Sequence, residues 1–359
     1  MSLFSTLFKK APAVAGPKFF VGIDFGSSSV KVVELEQRET MVALKTYGEL
    51  QLGPYAGKEL GEIATPDLSQ RTEALVDVMR EAKVKGEAGV LAMPLAGSFL
   101  TIISIQAKAD EDIAARIPVE ARKFIPVPMS EISLDWTELP AYANTPENVR
   151  EVLLAAVQNV SNKEMHELLG AVELASQPTE IEVFSAIRAC VQSDEETTAV
   201  IDLGAQTSKL YIVHEGMLRK IHRVFAGGAQ ATNQLAQLLD VSHEEAENIK
   251  RNYSSAESHA TDTKKAVTTT FERSFQEFKR VLTQFESSTG LAIDRVVLIG
   301  GSAAFPEMPA YANYMLDRKV ERDNPFSQIA YPAFLEDVLT EIAPTFTVAL
   351  GAALREFTQ

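Results

Sequence analysis

A short pattern is written twice in this chain, far apart. Residues 20–35 read FVGIDFGSSSVKVVEL, and residues 200–213 read VIDLGAQTSKLYIV. Asp24, Gly26 and Lys31 of the first copy fall on Asp202, Gly204 and Lys209 of the second in the same spacing. Each copy is an apolar run, a small-residue turn carrying one acid, then a second β-rich run, which reads as two strands joined by a tight turn. One Asp-x-Gly turn is an ordinary hairpin. A matched set of Asp, Gly and Lys in two of them needs a further reason. Glycine and serine at such a turn let backbone N–H groups approach a phosphate, and an aspartate can hold a cation through water. Two such hairpins facing each other make a clamp for a nucleotide tail. The repeat therefore predicts two related halves with a nucleotide in the cleft between them.

Residues 294–308, DRVVLIGGSAAFPEM, add a third element: a buried strand, a double glycine, a polar turn and a proline. Gly300 and Gly301 remove side chains where a purine or ribose would press on the backbone, and Pro306 suits the first turn of a following helix. The candidate nucleotide contacts are thus Asp24, Gly26, Ser27, Ser28, Ser29 and Lys31, then Asp202, Gly204, Ala205, Gln206 and Thr207, then Gly300, Gly301, Ser302 and Phe305. If the second hairpin grips from the opposite side, Lys209 points elsewhere, so Lys31 alone of the two lysines is counted as a contact. Asp24 and Asp202 end buried strands, where an unpaired carboxylate is costly. A water-mediated Mg²⁺ between them explains both; capping of each turn is the alternative.

At 359 residues the chain is long for one core, so two lobes are expected. Its formal charge of −15 would repel nucleic acid and anionic lipid. Cys190 is the only cysteine, which excludes a disulfide within the chain. No apolar run near the roughly 20 residues of a spanning helix is expected here and no signal peptide is evident, so no transmembrane segment and a cytoplasmic location are expected. Leu3, Phe4, Leu7 and Phe8 stand at helical spacing ahead of Lys9 and Lys10. Residues 1–18 are expected to be a flexible tail, with a short surface helix as the alternative.

Along the chain, residues 19–99, 175–196 and 344–359 are assigned to the first half. Residues 100–174 read as an inserted α/β subdomain, with helices over 111–124 and 162–173. Residues 197–343 form the second half, mainly helical over about 226–290. A helix is predicted over 65–81 and a closing one over 345–355. Phe271, Phe275, Phe278, Leu282 and Phe285 make one apolar stripe, read as core. Ser242 and Glu245 spell a capping box, and Glu247 and Lys250 share a helix face. The five histidines show no metal or triad spacing.

Acid-glycine hairpin, acid-glycine hairpin, then strand-GG-helix resembles the actin-like ATPase superfamily. Within it, the chain is similar to the PilM family of type IV pilus assembly proteins. The likeness lies in residues 20–35, in KFIPVPMSEISLDWTEL at 123–139 and in RVFAGGAQATNQLAQLLDVSHEEAENIKRNY at 223–253. The related FtsA shares the GG-x-x-x-T and A-E-x-I-K elements. The resemblance implies an α/β fold of two ribonuclease-H-like halves around a nucleotide cleft, with a small α/β subdomain inserted in the first. It implies ATP or ADP with Mg²⁺ in the cleft, and makes Gly227, Gly228, Glu247 and Lys250 further contacts. It also implies a partner, the N-terminal cytoplasmic tail of a PilN-like inner-membrane protein, together with other pilus assembly components. The chain would then sit at the inner membrane through that partner, with self-association left open. Phe124, Ile125 and Val127 lie beside two prolines that keep this link out of a sheet ladder. They form either the wall of the peptide groove or a seal on the subdomain.

The function this implies is an ATP-binding scaffold. The alternatives are an FtsA-like or MreB-like membrane-linked filament and, less favoured, a small-molecule kinase. Hydrolytic relatives carry a second acid or a Gly-Gly-Thr run in the second hairpin, where this chain has Ala205, Gln206 and Thr207. Glu180 and Glu182 in the linking segment are candidates to orient a water but sit in no alignable motif. Weak or absent ATPase activity is expected.

Overall fold

The computed structural model describes residues 19–38, 41–108, 110–176, 180–193 and 195–357. The expected tail over residues 1–18 lies outside the described residues.

Strands β1 (Phe19–Phe25), β2 (Ser29–Arg38) and β3 (Met41–Gln51) form an antiparallel meander. Helix α1 (Leu68–Glu81) opens on a capping box between Asp67 and Gln70 and leads to β4 (Ala88–Met93), which lies parallel to β1 on its free edge. The insert follows. Strand β5 (Ser98–Gln106), helix α2 (Ile117–Ala121), β6 (Ile132–Leu139) and β7 (Val149–Gln158) build a separate antiparallel sheet in the order β5–β7–β6. The helix expected over 111–124 shortens to α2, because Pro118 is tolerated only in a first helical turn. Helix α3 (Asn159–Ala171), expected within the insert, turns Met165, Leu168 and Leu169 into the core of the first half.

Short strands β8 (Ala175–Ser176) and β9 (Glu180–Ile181) pair with β4, and α4 (Glu182–Cys190) carries the chain across. The plan then repeats. Strands β10 (Thr198–Leu203), β11 (Ser208–His214) and β12 (Met217–Val224) form a second meander. Helices α5 (Gly228–Leu239), α6 (His243–Arg251) and α7 (Ala260–Thr289) precede β13 (Arg295–Ile299), which lies parallel to β10. Helix α8 (Met308–Leu316) and β14 (Glu321–Arg322) complete this half. The two main sheets run β3–β2–β1–β4–β8 and β12–β11–β10–β13–β14, so the sequence repeat is also a repeat of topology. The phenylalanine stripe of α7 is buried on the second sheet, as its spacing predicts.

Helix α9 (Glu336–Leu354) closes the molecule. It starts earlier than the expected 345–355 and continues through Pro344. By length and composition the region Ala333–Leu354 is apolar enough to cross a membrane, contrary to the reading that no run approaches that length. Its apolar side chains are used in the core: Ala343, Phe346, Ala349, Leu350 and Ala353 are buried, packed with Val33, Leu35 and Phe326.

Candidate functional site

The two hairpin turns are built alike. The Gly26 N–H donates to the Ser29 carbonyl at 2.9 Å, and the Gly204 N–H donates to the Thr207 carbonyl at 3.0 Å. Across the strands Asp24 stands opposite Lys31, and Asp202 opposite Lys209. Both turns face one cavity of about 410 Å³. Every candidate nucleotide contact named from the hairpins and from Gly300, Gly301, Ser302 and Phe305 lines it, as do Gly228, Glu247 and Lys250. Gly227 sits behind that lining, packed on the Ala205 and Gln206 backbone.

Lys209 does not point elsewhere. Its Nζ lies 2.9 Å from both Asp202 Oδ2 and Glu182 Oε1, on the cavity floor. Burial works against its charge, but Asp202 and Glu182 outweigh burial and hold it protonated well above the ordinary lysine range. Glu182 also accepts the Leu95 N–H at 2.8 Å, so strand β4's exit, the linking helix and the second hairpin meet at one carboxylate. The other linking acid, Glu180, is turned away. It is held by Arg188 through two 2.7 Å contacts, by the Ser185 hydroxyl at 2.5 Å and by Arg355.

The first hairpin is more loosely paired. Lys31 Nζ is 4.0 Å from Asp24 Oδ2 and 3.6 Å from Glu49 Oε1, and donates to Ser29 Oγ at 2.7 Å. Burial pushes the Asp24 carboxyl up to about 6, a cost that Lys31 only partly offsets. A desolvated carboxylate without a close cation suits a hydrated divalent ion. Among the described residues no group of three or more acidic, histidine or cysteine side chains could hold a metal alone. Mg²⁺ commonly takes one or two carboxylates, with phosphate and water completing its shell. Asp24 fits that use; Asp202 already holds Lys209.

Helices α5 and α6 form the cavity's other wall. The Gly228 N–H donates to the Gly204 carbonyl at 2.9 Å and the Ala229 N–H to the Ala205 carbonyl at 3.0 Å, which docks the start of α5 under the second turn. Glu247 and Lys250 are no surface pair: Lys250 Nζ reaches Glu247 Oε2 at 2.6 Å, Thr232 Oγ1 at 2.6 Å and the Gly228 carbonyl at 3.0 Å. Burial alone would raise Glu247, but the Lys250 charge and bonds from Lys250, Thr232 and Arg251 bring it to about 2. Burial keeps Lys250 below the usual lysine range even so.

At the third element, Gly300 has φ +88° and ψ 163°, a region essentially reserved for glycine. A Cβ there would lie 2.5 Å from Asp202 Oδ1 and 2.7 Å from the Leu203 carbonyl. Gly301 faces open space. Phe305 is buried against Tyr253, with ring centroids 4.6 Å apart. Several lining groups had no signal in the sequence, among them Glu49, Gly61 and Arg251, and Phe225, which is 73% exposed with the Arg223 guanidinium 4.9 Å from its ring centre.

The residues named for a peptide groove lie apart, in the insert. Ile125 is buried in the subdomain core and Val127 packs against it, while Phe124 is exposed. Ile125 and Val127 border a shallow concavity with Arg122, Pro128, Met129 and Ser130.

Residues 22–357 match the family model described as type IV pilus assembly protein PilM. Among solved structures, the chain is similar to one described as a PilM-PilN type IV pilus biogenesis complex, at 22% identity and TM-score 0.78, covering 97% of this chain and 100% of that one. It is also similar to the ethanolamine utilization protein EutJ from Carboxydothermus hydrogenoformans, at 16% identity and TM-score 0.57, over 94% of this chain and 90% of that one. A nucleotide-free diol dehydratase-reactivating factor matches at 11% identity and TM-score 0.54, over 95% of this chain and 100% of that one. The architecture is the actin-like α/β fold that the resemblance implied.

Proposed function

Because the chain belongs to the family of type IV pilus assembly protein PilM, we propose that it is an ATP-binding scaffold of type IV pilus assembly. In this reading it takes ATP or ADP with Mg²⁺ in the cleft and engages the N-terminal cytoplasmic tail of a PilN-like inner-membrane protein. The observation that carries the nucleotide is the pair of matched turns, residues 26–29 and 204–207, opening on one cavity with Gly301 clear of contacts. Backbone N–H groups of both turns and the Lys31 ammonium would hold the phosphates. Phe305 and the Lys250–Glu247 pair would border the base and ribose. Mg²⁺, held through water by Asp24, would supply neutralising charge to the phosphates, while Asp202 stays paired with Lys209. Glu182 is tied to Lys209 and to the Leu95 N–H, which leaves it poorly placed to take a proton from water. That supports weak or absent hydrolysis.

The partner rests on the family and on the similar structure described as a PilM-PilN complex. Such a tail would bring the chain to the cytoplasmic face of the inner membrane. The proposed groove uses exposed Phe124 and half-buried Val127, with Ile125 supporting them from the subdomain core.

Calorimetric titration tests both parts. Millimolar Mg-ATP and a peptide from the cytoplasmic tail should each bind the full chain, the peptide more weakly to Phe124→Ala and Val127→Ala. Unchanged peptide affinity in both variants would move the groove elsewhere. No heat from either ligand would refute the scaffold, and filaments forming in ATP without peptide binding would favour the FtsA-like alternative.

A further inference from the structure

We propose that residues 51–64 are a strap that clasps the two halves together at the rim of the cavity and must release for nucleotide to exchange. The inference rests on the nucleotide reading of the cleft. Both ends of the strap are fixed to the first hairpin turn: the Leu52 N–H donates to the Ser28 carbonyl at 2.8 Å, and the Ala64 N–H to the Ser27 carbonyl at 3.0 Å. Between them the chain is tightly turned. The Ala56 and Lys58 N–H groups both donate to the Gly53 carbonyl at 2.9 Å, and the Glu59 N–H donates to Glu62 Oε2 at 2.8 Å.

The tip then crosses to the second half, where its partners among the described residues lie on α6. Glu59 Oε2 accepts the Glu244 N–H at 2.8 Å, in the first turn of that helix, where N–H groups have no partner within the helix and a carboxylate is favoured. The His243 ring meets the Leu60 carbonyl at 3.2 Å. Gly61, at φ +79°, lies so close that a Cβ would be 2.5 Å from Glu247 Cγ. At the strap's start, the Gln51 amide, oriented to satisfy its neighbours, donates to the Ser28 carbonyl at 3.3 Å and accepts from Arg251 Nη2 at 3.0 Å.

One continuous segment therefore joins the turn proposed to hold phosphate to the helix that carries Glu247 and Lys250. Gly61, Glu247 and Arg251 all line the cavity, so the clasp is part of its wall. The polar links at the tip are solvent-exposed or partly so. Hydrogen bonds of that kind exchange readily with water, which suits a clasp that opens. Ligand seated against residues 26–29 and α6 would hold both of its anchor points, and an opened strap would let the halves part.

The test uses the full chain, a fluorescent N-methylanthraniloyl ATP with Mg²⁺, and the double variant Glu59→Ala with His243→Ala. Both residues are outside the proposed nucleotide contacts. Displacement by excess ATP in a stopped-flow instrument should show dissociation at least about fivefold faster in the variant, the lower end of coupling between sites. Gly61→Ala, which forces the tip away from Glu247, should act in the same direction. Hydrogen–deuterium exchange without nucleotide should rise together in residues 52–64 and 246–250. Unchanged dissociation, or faster exchange in the strap alone with α6 still protected, would overturn the clasp. Absence of nucleotide binding by the wild type would refute the cleft reading instead, and the exchange result would still decide whether the strap holds the halves.

Discussion

Asp24→Asn separates what the cleft costs from what it does. Asp24 is 8% exposed, and its nearest cation is 4.0 Å away. Burial raises its pKa from 3.8 to about 6; Lys31 and Lys209 oppose the rise, and Glu182 and Asp202 add to it. Because the folded-state value lies above the unfolded one, the protonated acid favours the fold. That contribution is full below about 3.8 and is lost as pH rises through about 6. The interval corresponds to on the order of 3 kcal/mol. Asparagine keeps the shape and removes the charge, so without nucleotide the variant should be the more stable protein above pH 7. Its advantage should grow between pH 4 and 6 and level off above that range. Urea unfolding at pH 4.5, 6 and 7.5 reads this as a shift in midpoint with little change in slope. Mg-ATP should reverse the order: ligand at a hundredfold over its dissociation constant stabilises the wild type by about 2.7 kcal/mol, and the variant should gain much less. A variant less stable than wild type at every pH without ligand would refute the argument, and would mean that Lys31 makes Asp24 a stabilising ion.

Three further outcomes follow from the same geometry. Lys209→Met strands two buried carboxylates and should cost about 3–5 kcal/mol, well beyond Lys31→Met, whose partners are farther away; chemical denaturation of both variants checks the ranking. Gly301→Val should fold normally and weaken Mg-ATP binding at least about tenfold by titration, since its side chain enters open space in the cavity. Gly300→Val should instead lower the yield of folded protein, because its Cβ meets Asp202 and the Leu203 backbone. Phe275→Ala, in the buried stripe of α7, should cost about 3–5 kcal/mol in urea without changing nucleotide affinity.

The readable parts of this fold were those set by local pattern. The Asp–Gly–Lys repeat could be found by spacing, and the structure returns it as two hairpins with Asp24 opposite Lys31 and Asp202 opposite Lys209. The α7 stripe followed from helical period alone. Parts that depend on distant partners were not readable. Glu180 and Glu182 are two residues apart, yet one is fixed by Arg188 and Arg355 and the other by Lys209 and Leu95. Ser185 and Arg188 lie in the linking helix, but Arg355, Lys209 and Leu95 are brought in from distant parts of the chain. The closing helix is expected only from residue 345, just past a proline whose place inside a helix costs about 3 kcal/mol or more. In the fold α9 runs through it, packed in the core, and the Pro344 carbonyl accepts the Gly300 N–H at 2.7 Å.

That last contact bears on how the halves could respond to ligand. Gly300 belongs to the second half, and its φ of +88° leaves little freedom to substitute or shift. The same residue is wedged against Asp202, which holds Lys209, which in turn holds Glu182 at the start of the linking helix. A chain of buried contacts, polar at both ends and steric at Gly300, thus runs from the closing helix through the third turn to the crossing between halves. Movement of one sheet against the other would have to break a buried ion pair at Lys209 or stretch the bond at Pro344. The clasp at Glu59 and His243 is held by exposed or partly exposed hydrogen bonds at the start of α6. Opening should therefore begin at the clasp, with the Lys209 floor acting as the hinge side. Hydrogen exchange that rose first around Leu95 and Glu182, with the Glu59 tip still protected, would contradict this order of events.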